Sequence, residues 1–448
     1  MGRIKYGWLL AFILPWPEAF AVEVRLVPKA QGEEGLNLNQ AMDQAVEKSP
    51  LREASRAAER AATARKDQSG EGMGPHLDLE ANRAWVDTDV NKLAGKVLPN
   101  GTRIPDQVSN AALTLSQPLT DIWTQKRRKD ADQHMEEAAR AEVETQTQTV
   151  RSRTAEAYIQ VLKAARRLAI SQESQTLIEQ QKKDASLQQK QGRLAVLDFQ
   201  RFELAAAEAT TVTSDAAASL EAAVISLQEL IGVAPRAVWV LEDLETPPAP
   251  PAVNPKQERP ELAGAGARIA AAQSSQSAAE MDYWPKVQAF ARVQRDFAAK
   301  DIEIPLPGFE STYPKEDYRD NFSYGLSLNW RLWDNLSRLA HNRELSALVE
   351  KAENEKAGLA SSVRVEQAQA NAEWQRVEER LRSAIVASDL SDKIYRSFES
   401  KFKNGLATTT DMLGAERDRT RSHSLLADAR YDVQLAAVRL RRAYGERP

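Results

Sequence analysis

The chain has 448 residues, of which 28% are charged and 42% hydrophobic, with a formal net charge of −4 and no cysteine. That balance excludes a disordered chain and a polytopic helical membrane protein, and the absence of a basic excess argues against a nucleic-acid partner. Without cysteine there are no disulfides and no lipid on an N-terminal cysteine. The four histidines (His76, His134, His341 and His423) are too scattered for a His/Cys metal cluster.

Arg3 and Lys5, the apolar stretch Gly7 to Pro15, and Ala19-Phe20-Ala21 before Val22 predict a cleaved secretory signal over 1–21. The apolar run falls short of the roughly 20 residues that cross a bilayer. A first repeat is expected over 22–234. Its first helix covers about 38–70, with Pro50-Leu51 opening an Ala-rich stretch. Pro75 then opens an alternating strand at about 76–86, where Leu77, Leu79, Ala81 and Trp85 interleave with Asp78, Glu80 and Asn82. A polar loop (about 87–108) leads to a second strand at about 109–118, carrying Ala111, Leu113 and Leu115 on one face. Between Pro118 and Pro235 there is no proline, and Gly192 and Gly232 are the only glycines. Helices are expected at about 119–191 and 196–231, the first on the order of 100 Å long.

The segment 235–260 is a Pro-rich connector, extended by Pro247, Pro248, Pro250 and Pro251. A second repeat over 261–448 follows the same plan, with helices at about 261–282, 335–404 and 408–444. Its strands lie at about 285–297 and 322–333, joined by a polar loop at about 298–321. Pro50 and Pro260, like Pro75 and Pro285, stand 210 residues apart, and Gly192/Gly405 and Asp198/Asp411 stand 213 apart. Such a constant offset marks a duplicated architectural unit.

Trp374, Val377, Leu381 and Ile385, and again Ile394, Phe398 and Phe402, repeat at three-and-four spacing, which predicts a narrow coiled-coil seam. Helices with so thin an apolar stripe need neighbours on both sides, so lateral oligomerisation is expected. Strands of about ten residues with period two match transmembrane β-strands, with lipid on one side and water on the other. Alternation alone leaves a soluble sandwich open. Four strands cannot close a barrel, and an open sheet in lipid leaves backbone groups unpaired at several kcal/mol each, so strands from several chains would have to complete it. Trp85, Tyr283, Trp284, Trp330 and Trp333 are placed as membrane-interface aromatics.

These features together resemble the TolC-like outer-membrane efflux family, over about Leu38 to Gly445. Arg259-Pro260-Glu261-Leu262 leading into Tyr283-Trp284-Pro285 is similar to the family's helix before its third strand. Leu326 through Asp334 resembles its strand running into a long helix, with Leu113 to Asp121 as the first-half counterpart. Gly405-Leu406-Ala407-Thr408-Thr409-Thr410-Asp411 and Gly192-Arg193-Leu194-Ala195-Val196-Leu197-Asp198 resemble its helix-tip turns. The resemblance implies a mainly α fold with transmembrane β, in which a homotrimer forms a 12-stranded β-barrel in the outer membrane on an α-helical tunnel through the periplasm. It also implies a passive conduit served by a periplasmic adaptor and an inner-membrane pump, in efflux or type I secretion. Expected partners are therefore the adaptor, the pump and outer-membrane lipid.

A conduit needs no catalytic residue, cofactor or metal, and none is assigned. Adaptor docking is expected at Gly192, Leu194, Gly405 and Leu406. The resemblance places a periplasmic gate at Asp411, Phe402 and Asp198, although Gly414 stands where a second acid often lies and Phe402 where a hydroxyl-bearing aromatic often latches the tip. As structural alternatives, the glycines and aspartates of both turns suffice as helix stops and caps. Arg127-Arg128-Lys129 and Lys182-Lys183 read as solvated helix faces. The rival readings are a periplasmic coiled-coil adaptor, which would have one hairpin flanked by compact β domains, a secreted coiled-coil protein, and an enzyme.

Overall fold

The computed structural model describes residues 23–27, 35–85, 107–234, 236, 238–244, 248, 258–297 and 318–446. The signal segment, most of the two polar loops and most of the Pro-rich connector lie outside the described residues. In chain order the elements are β1 (Glu23–Val27), α1 (Leu38–Lys48), α2 (Pro50–Glu71), β2 (His76–Trp85), β3 (Gln107–Pro118), α3 (Asp121–Lys190) and α4 (Val196–Ile231). They continue with β4 (Val238–Glu242), α5 (Pro260–Met281), β5 (Lys286–Phe297), β6 (Tyr318–Asn329), α6 (Ser337–Lys403) and α7 (Thr409–Ala443). The 70 residues of α3 and the 67 of α6 make rods of about 100 Å.

Three details differ from the sequence expectation. The helix read over 38–70 breaks at Ser49, because Pro50 has no N–H to continue α1 and instead begins α2. The Ser49 hydroxyl accepts from Arg52 N at 3.4 Å across that break. A parallel two-stranded sheet, β1 with β4, was not foreseen; it pairs Glu23–Val27 with Val238–Glu242. The last strand also runs from Tyr318 to Asn329 and not from 322 to 333. The apolar alternation continues past Asn329, but the backbone turns, reaching left-handed φ values of 55° at Asn335 and 65° at Leu336.

One compact unit comprises the described residues of Met1–Ala54, Glu144–Arg259 and Ser361–Pro448. Its main core joins Met42, Tyr158, Leu162, Leu227, Ile231, Trp239, Leu241 and Tyr431. The β1–β4 pair is tied to helices through two tyrosines. Tyr158 Oη lies 2.8 Å from the carbonyls of both Leu36 and Glu242, and Tyr431 Oη donates to Asp243 at 2.8 Å. Burial pushes the Tyr158 hydroxyl well above its ordinary pKa, so it stays a donor throughout the working pH range.

A second core lies between α6 and α7, where Trp374, Val377, Leu381 and Ala384 meet Ala429, Val433, Ala436 and Leu440. The buried residues of α6 continue as Ala384, Ser388, Ser391 and Tyr395. Ile385 and Ile394, read as seam residues, are each 50% exposed. Strict three-and-four spacing from Trp374 selects the small residues, and small side chains let paired helices approach closely. Ser391 satisfies its hydroxyl on the Ser388 carbonyl at 2.9 Å. Ser388→Leu is therefore expected to overpack the seam and cost about 1–3 kcal/mol, read as a lower thermal midpoint.

The other unit comprises the described residues of Ser55–Val143 and Pro260–Ala360. Its helices are locked by a buried carboxylate. Glu136 on α3 accepts from Lys66 at 2.8 Å and Thr63 at 3.0 Å on α2. The Lys66 bond, opposed by desolvation, holds the Glu136 carboxyl below its ordinary value. Nearby, a Cβ built on Gly264 of α5 would stand 3.1 Å from the Ala141 methyl, so glycine permits this close approach.

A two-faced sheet and two helix-tip turns

The four-stranded sheet has the order β2-β3-β5-β6, antiparallel throughout. Residues directly opposite one another share a face, so the register assembles the faces row by row. Leu79, Leu113, Val293 and Phe322 form one row; Leu77, Leu115, Ala291 and Tyr324 form the next. Ala289 with Leu326 and Val287 with Leu328 extend the band toward the helices. Among the described residues nothing covers it: Leu79, Tyr324 and Leu326 are 75%, 77% and 71% exposed. Toward the loops the band ends at Arg295, which makes a two-bond ion pair with Asp320 at 2.6 and 2.8 Å.

From Val287 to Arg295 the rise is about 27 Å along the strand at about 3.4 Å per residue. At a tilt of about 40° this gives about 21 Å, close to the ~25 Å band of outer-membrane barrels. The opposite face is wet. It carries the rows Asp78, Thr114, Arg292, Ser323 and Glu80, Ala112, Gln294, Asn321, with Arg292 3.7 Å from Glu80. Phe290 also lies on this face, against Gly325 directly opposite.

Among the aromatics assigned to the interface, Trp85 ends β2 on the loop side, with Arg83 5.2 Å above its ring. Tyr283, Trp284, Trp330 and Trp333 collect at the helix end and are exposed. Trp330 Nε1 donates to the Tyr283 carbonyl at 3.2 Å. Arg338 knits the same turn, donating to Asp334 at 2.7 Å and to the Asp282 carbonyl at 3.2 Å.

The helix-tip turns lie in the first compact unit. Both α3 and α6 end in a glycine with left-handed φ, 71° at Gly192 and 72° at Gly405. Each is a Schellman closure: Arg193 N donates to Gln188 O at 2.9 Å, and Leu406 N to Lys401 O at 2.8 Å. No atom lies within 4 Å of a Cβ placed on either glycine, so conformation, not space, demands glycine there. Leu406 is 78% exposed and Leu194 is half-buried.

The two turns differ at the next step. Thr408 caps α7 in a reciprocal box: its Oγ1 accepts from Asp411 N at 3.2 Å, and Asp411 Oδ2 accepts from Thr408 N at 3.0 Å. The Thr408 hydroxyl and N–H hold the Asp411 carboxyl below its ordinary value. In the first turn Ala195 occupies the cap position and makes no side-chain bond. Asp198, relieved of capping, lies 3.5 Å from Arg201, and Arg201 in turn donates to Thr410 at 2.6 Å. Phe402 packs edge-on against Phe202, their centroids 6.1 Å apart.

The outer membrane efflux protein family model matches this chain twice, over residues 41–233 and 254–446. The chain belongs to that family.

Solved structures share the fold at low identity. CusC aligns with a TM-score of 0.77 at 15% identity, covering 99% of each chain. A membrane protein from Pseudomonas aeruginosa aligns at 0.76 and 18%, covering 91% of this chain and 90% of that one. The Campylobacter jejuni CmeC outer membrane channel aligns at 0.76 and 12%, covering 91% and 85%. No curated protein matches significantly. Among the described residues, no helix is long and apolar enough to cross a membrane and no metal-binding group of side chains occurs.

Within this family fold, several residues carry roles that sequence reasoning passed over. Trp123 is 61% exposed in the first turn of α3, where no strand alternation draws attention to it. Tyr395, two turns before Phe402, offers a phenolic oxygen that accepts from Gln181 at 3.3 Å. The ties between the two hairpins, Arg201–Thr410 and Arg417–Glu208 at 3.4 Å, join partners 209 residues apart, and no local pattern signals them. The cap asymmetry gives a direct test. Ala195→Thr, with Asp198 already at the third helical position, should complete the missing box and stabilise the first turn by about 1 kcal/mol. Slower amide hydrogen exchange at the start of α4 would register it.

Proposed function

We propose that three copies of this chain assemble into an outer-membrane conduit, a 12-stranded barrel whose apolar face meets lipid and whose wet face lines the pore. The long helices continue the passage through the periplasm. Cargo enters passively from an inner-membrane pump through a periplasmic adaptor, in efflux or type I secretion. The observation that carries this reading is the band from Leu77 to Leu328, uncovered among the described residues, on a sheet whose edges β2 and β6 have no further strand among them. A lone sheet of this kind is unstable both in water and in lipid, whereas edge-to-edge closure between copies removes both faults.

In this reading the turns at Gly192, Leu194, Gly405 and Leu406 receive the adaptor. Asp411, Phe402 and Asp198 narrow the tip. The capping bond engages only one oxygen of Asp411, so three copies would still present a ring of carboxylates there. Phe402 contributes packing on Phe202 where a hydroxyl latch is absent, and the Arg201–Thr410 bond supplies a polar tie. The adaptor alternative is disfavoured by two hairpins and a single four-stranded sheet. The experiment is fractionation with heat-modifiable migration and mass determination in detergent. A trimer that extracts from the outer membrane and shifts on boiling supports the proposal; a monodisperse monomer, soluble without detergent, would overturn it.

A further inference from the structure

The helix end of the sheet carries cations that conduction does not use. Lys126, Arg127 and Arg128 on α3 are all exposed. Lys126 and Arg127 stand three and four residues beyond Trp123 and so share its helical face. Arg331 stands between Trp330 and Trp333, also exposed. The local carboxylates absorb this charge only in part, with Asp334 acting on Arg331 through space. Arg127 reaches Asp130 only at 3.7 Å. Arg128 reaches Asp282 at 3.7 Å, a carboxylate that Lys286 holds more closely at 3.1 Å. Lys126 and Arg331 have no ion pair among the described residues.

The duplication supplies a control. At the 213-residue offset, Leu339, Ala340 and His341 correspond to Lys126, Arg127 and Arg128, so the second repeat carries no matching run of three cations there. Depth also fits. Five to seven residues into α3, these side chains lie about 7–10 Å beyond its start. A headgroup layer is about 5–7 Å thick on each side of the hydrocarbon, and Lys and Arg stems extend along apolar surface toward it. The exposed indoles of Trp123, Trp284 and Trp333 mark the boundary where acyl chains give way to headgroups.

We propose that Lys126, Arg127, Arg128 and Arg331 form a belt that binds the headgroups of anionic phospholipids in the leaflet on the helix side of the sheet. Phosphate oxygens accept hydrogen bonds from the cations while the acyl chains lie against the indoles and the apolar band. This inference rests on the membrane-inserted reading of the sheet. The test reconstitutes the full-length assembly in bilayers of POPC with about 30% POPG and counts the lipids retained by native mass spectrometry. The wild type is expected to retain POPG over POPC by about tenfold beyond the bilayer ratio, a preference that shrinks in about 0.5 M salt. The variant K126Q/R127Q/R128Q/R331Q should retain both lipids near the bilayer ratio, with Lys126→Gln alone intermediate. Parity in the wild type, or an undiminished preference in the fourfold variant, overturns the belt. Heat-modifiable migration of the same samples separates the two claims, because a wild type that fails to insert in either lipid sinks the conduit reading instead.

Discussion

Leu326→Arg is expected to abolish assembly in the outer membrane, whereas Ser327→Arg, one residue away, leaves it nearly intact. Leu326 stands opposite Ala289 on the apolar face, and Ser327 opposite Gln288 on the wet face. An arginine facing lipid costs about 2–4 kcal/mol near the bilayer midplane, less toward the interfaces. Each copy bears that cost, against a total stability on the order of 5–15 kcal/mol per folded unit. The same arginine on the wet face stands opposite Gln288 with Asn329 two residues on, and Lys286, opposite Asn329, is already paired with Asp282 at 3.1 Å. The readout is the heat-modifiable, membrane-extracted fraction of each variant. Equal losses would mean that the sheet does not separate lipid from water, and the conduit reading would fail at its base.

The sheet was legible because period two is a strong signal when one face is uniformly apolar over ten residues. Leu77, Leu79, Leu113 and Leu115 announced their face, and the register confirms that they share it. Where the pattern misled, backbone conformation was the reason. Leu332 continues the alternation past Asn329, yet the turn through Asn335 and Leu336 takes the chain into α6. The β1–β4 pair escaped notice because each strand has five residues, too few for period to show. The α6 seam shows a different failure. Hydrophobicity favoured Ile385 and Ile394, but buried position follows spacing, and Ala384, Ser388 and Ser391 occupy it.

The turns were readable in kind but not in detail. Glycine at 192 and 405 was expected to stop a helix, and the left-handed φ at both bears this out. That Asp411 would be engaged by its own cap while Asp198 would not depends on one position, Thr408 against Ala195. The two repeats have diverged there, so one turn is fastened within itself and the other leans on Thr410 of its neighbour through Arg201. Ties across the repeats are where long-range structure holds what local sequence leaves open.

In the proposed conduit, Arg419→Ala is expected to lower the thermal midpoint and to raise the resting conductance several-fold, because one side chain fastens three helices. Its Nε donates to Asp392 on α6 at 2.8 Å, and its Nη2 to Glu173 on α3 at 3.1 Å. The guanidinium also lies 5.3 Å from the centre of the Tyr395 ring. Two hydrogen bonds to charged partners, partly screened by solvent, suggest a loss of about 2–3 kcal/mol on truncation. Arg419→Lys keeps the charge but cannot span both carboxylates, so it should recover only part of the loss. Desolvation pushes the Asp392 carboxyl up, but bonds from Arg419 and from His423, at 2.9 Å, outweigh it and hold the group below its ordinary 3.8. A depressed carboxylate contributes its stability above the unfolded-state value and loses it as pH falls through the folded-state one. In the proposed conduit, low resting conductance should therefore hold from neutral pH down to about pH 4 and be lost only below it. A conductance that climbs already near pH 6 would remove Asp392 from the tie, and with it the claim that Arg419 fastens these helices.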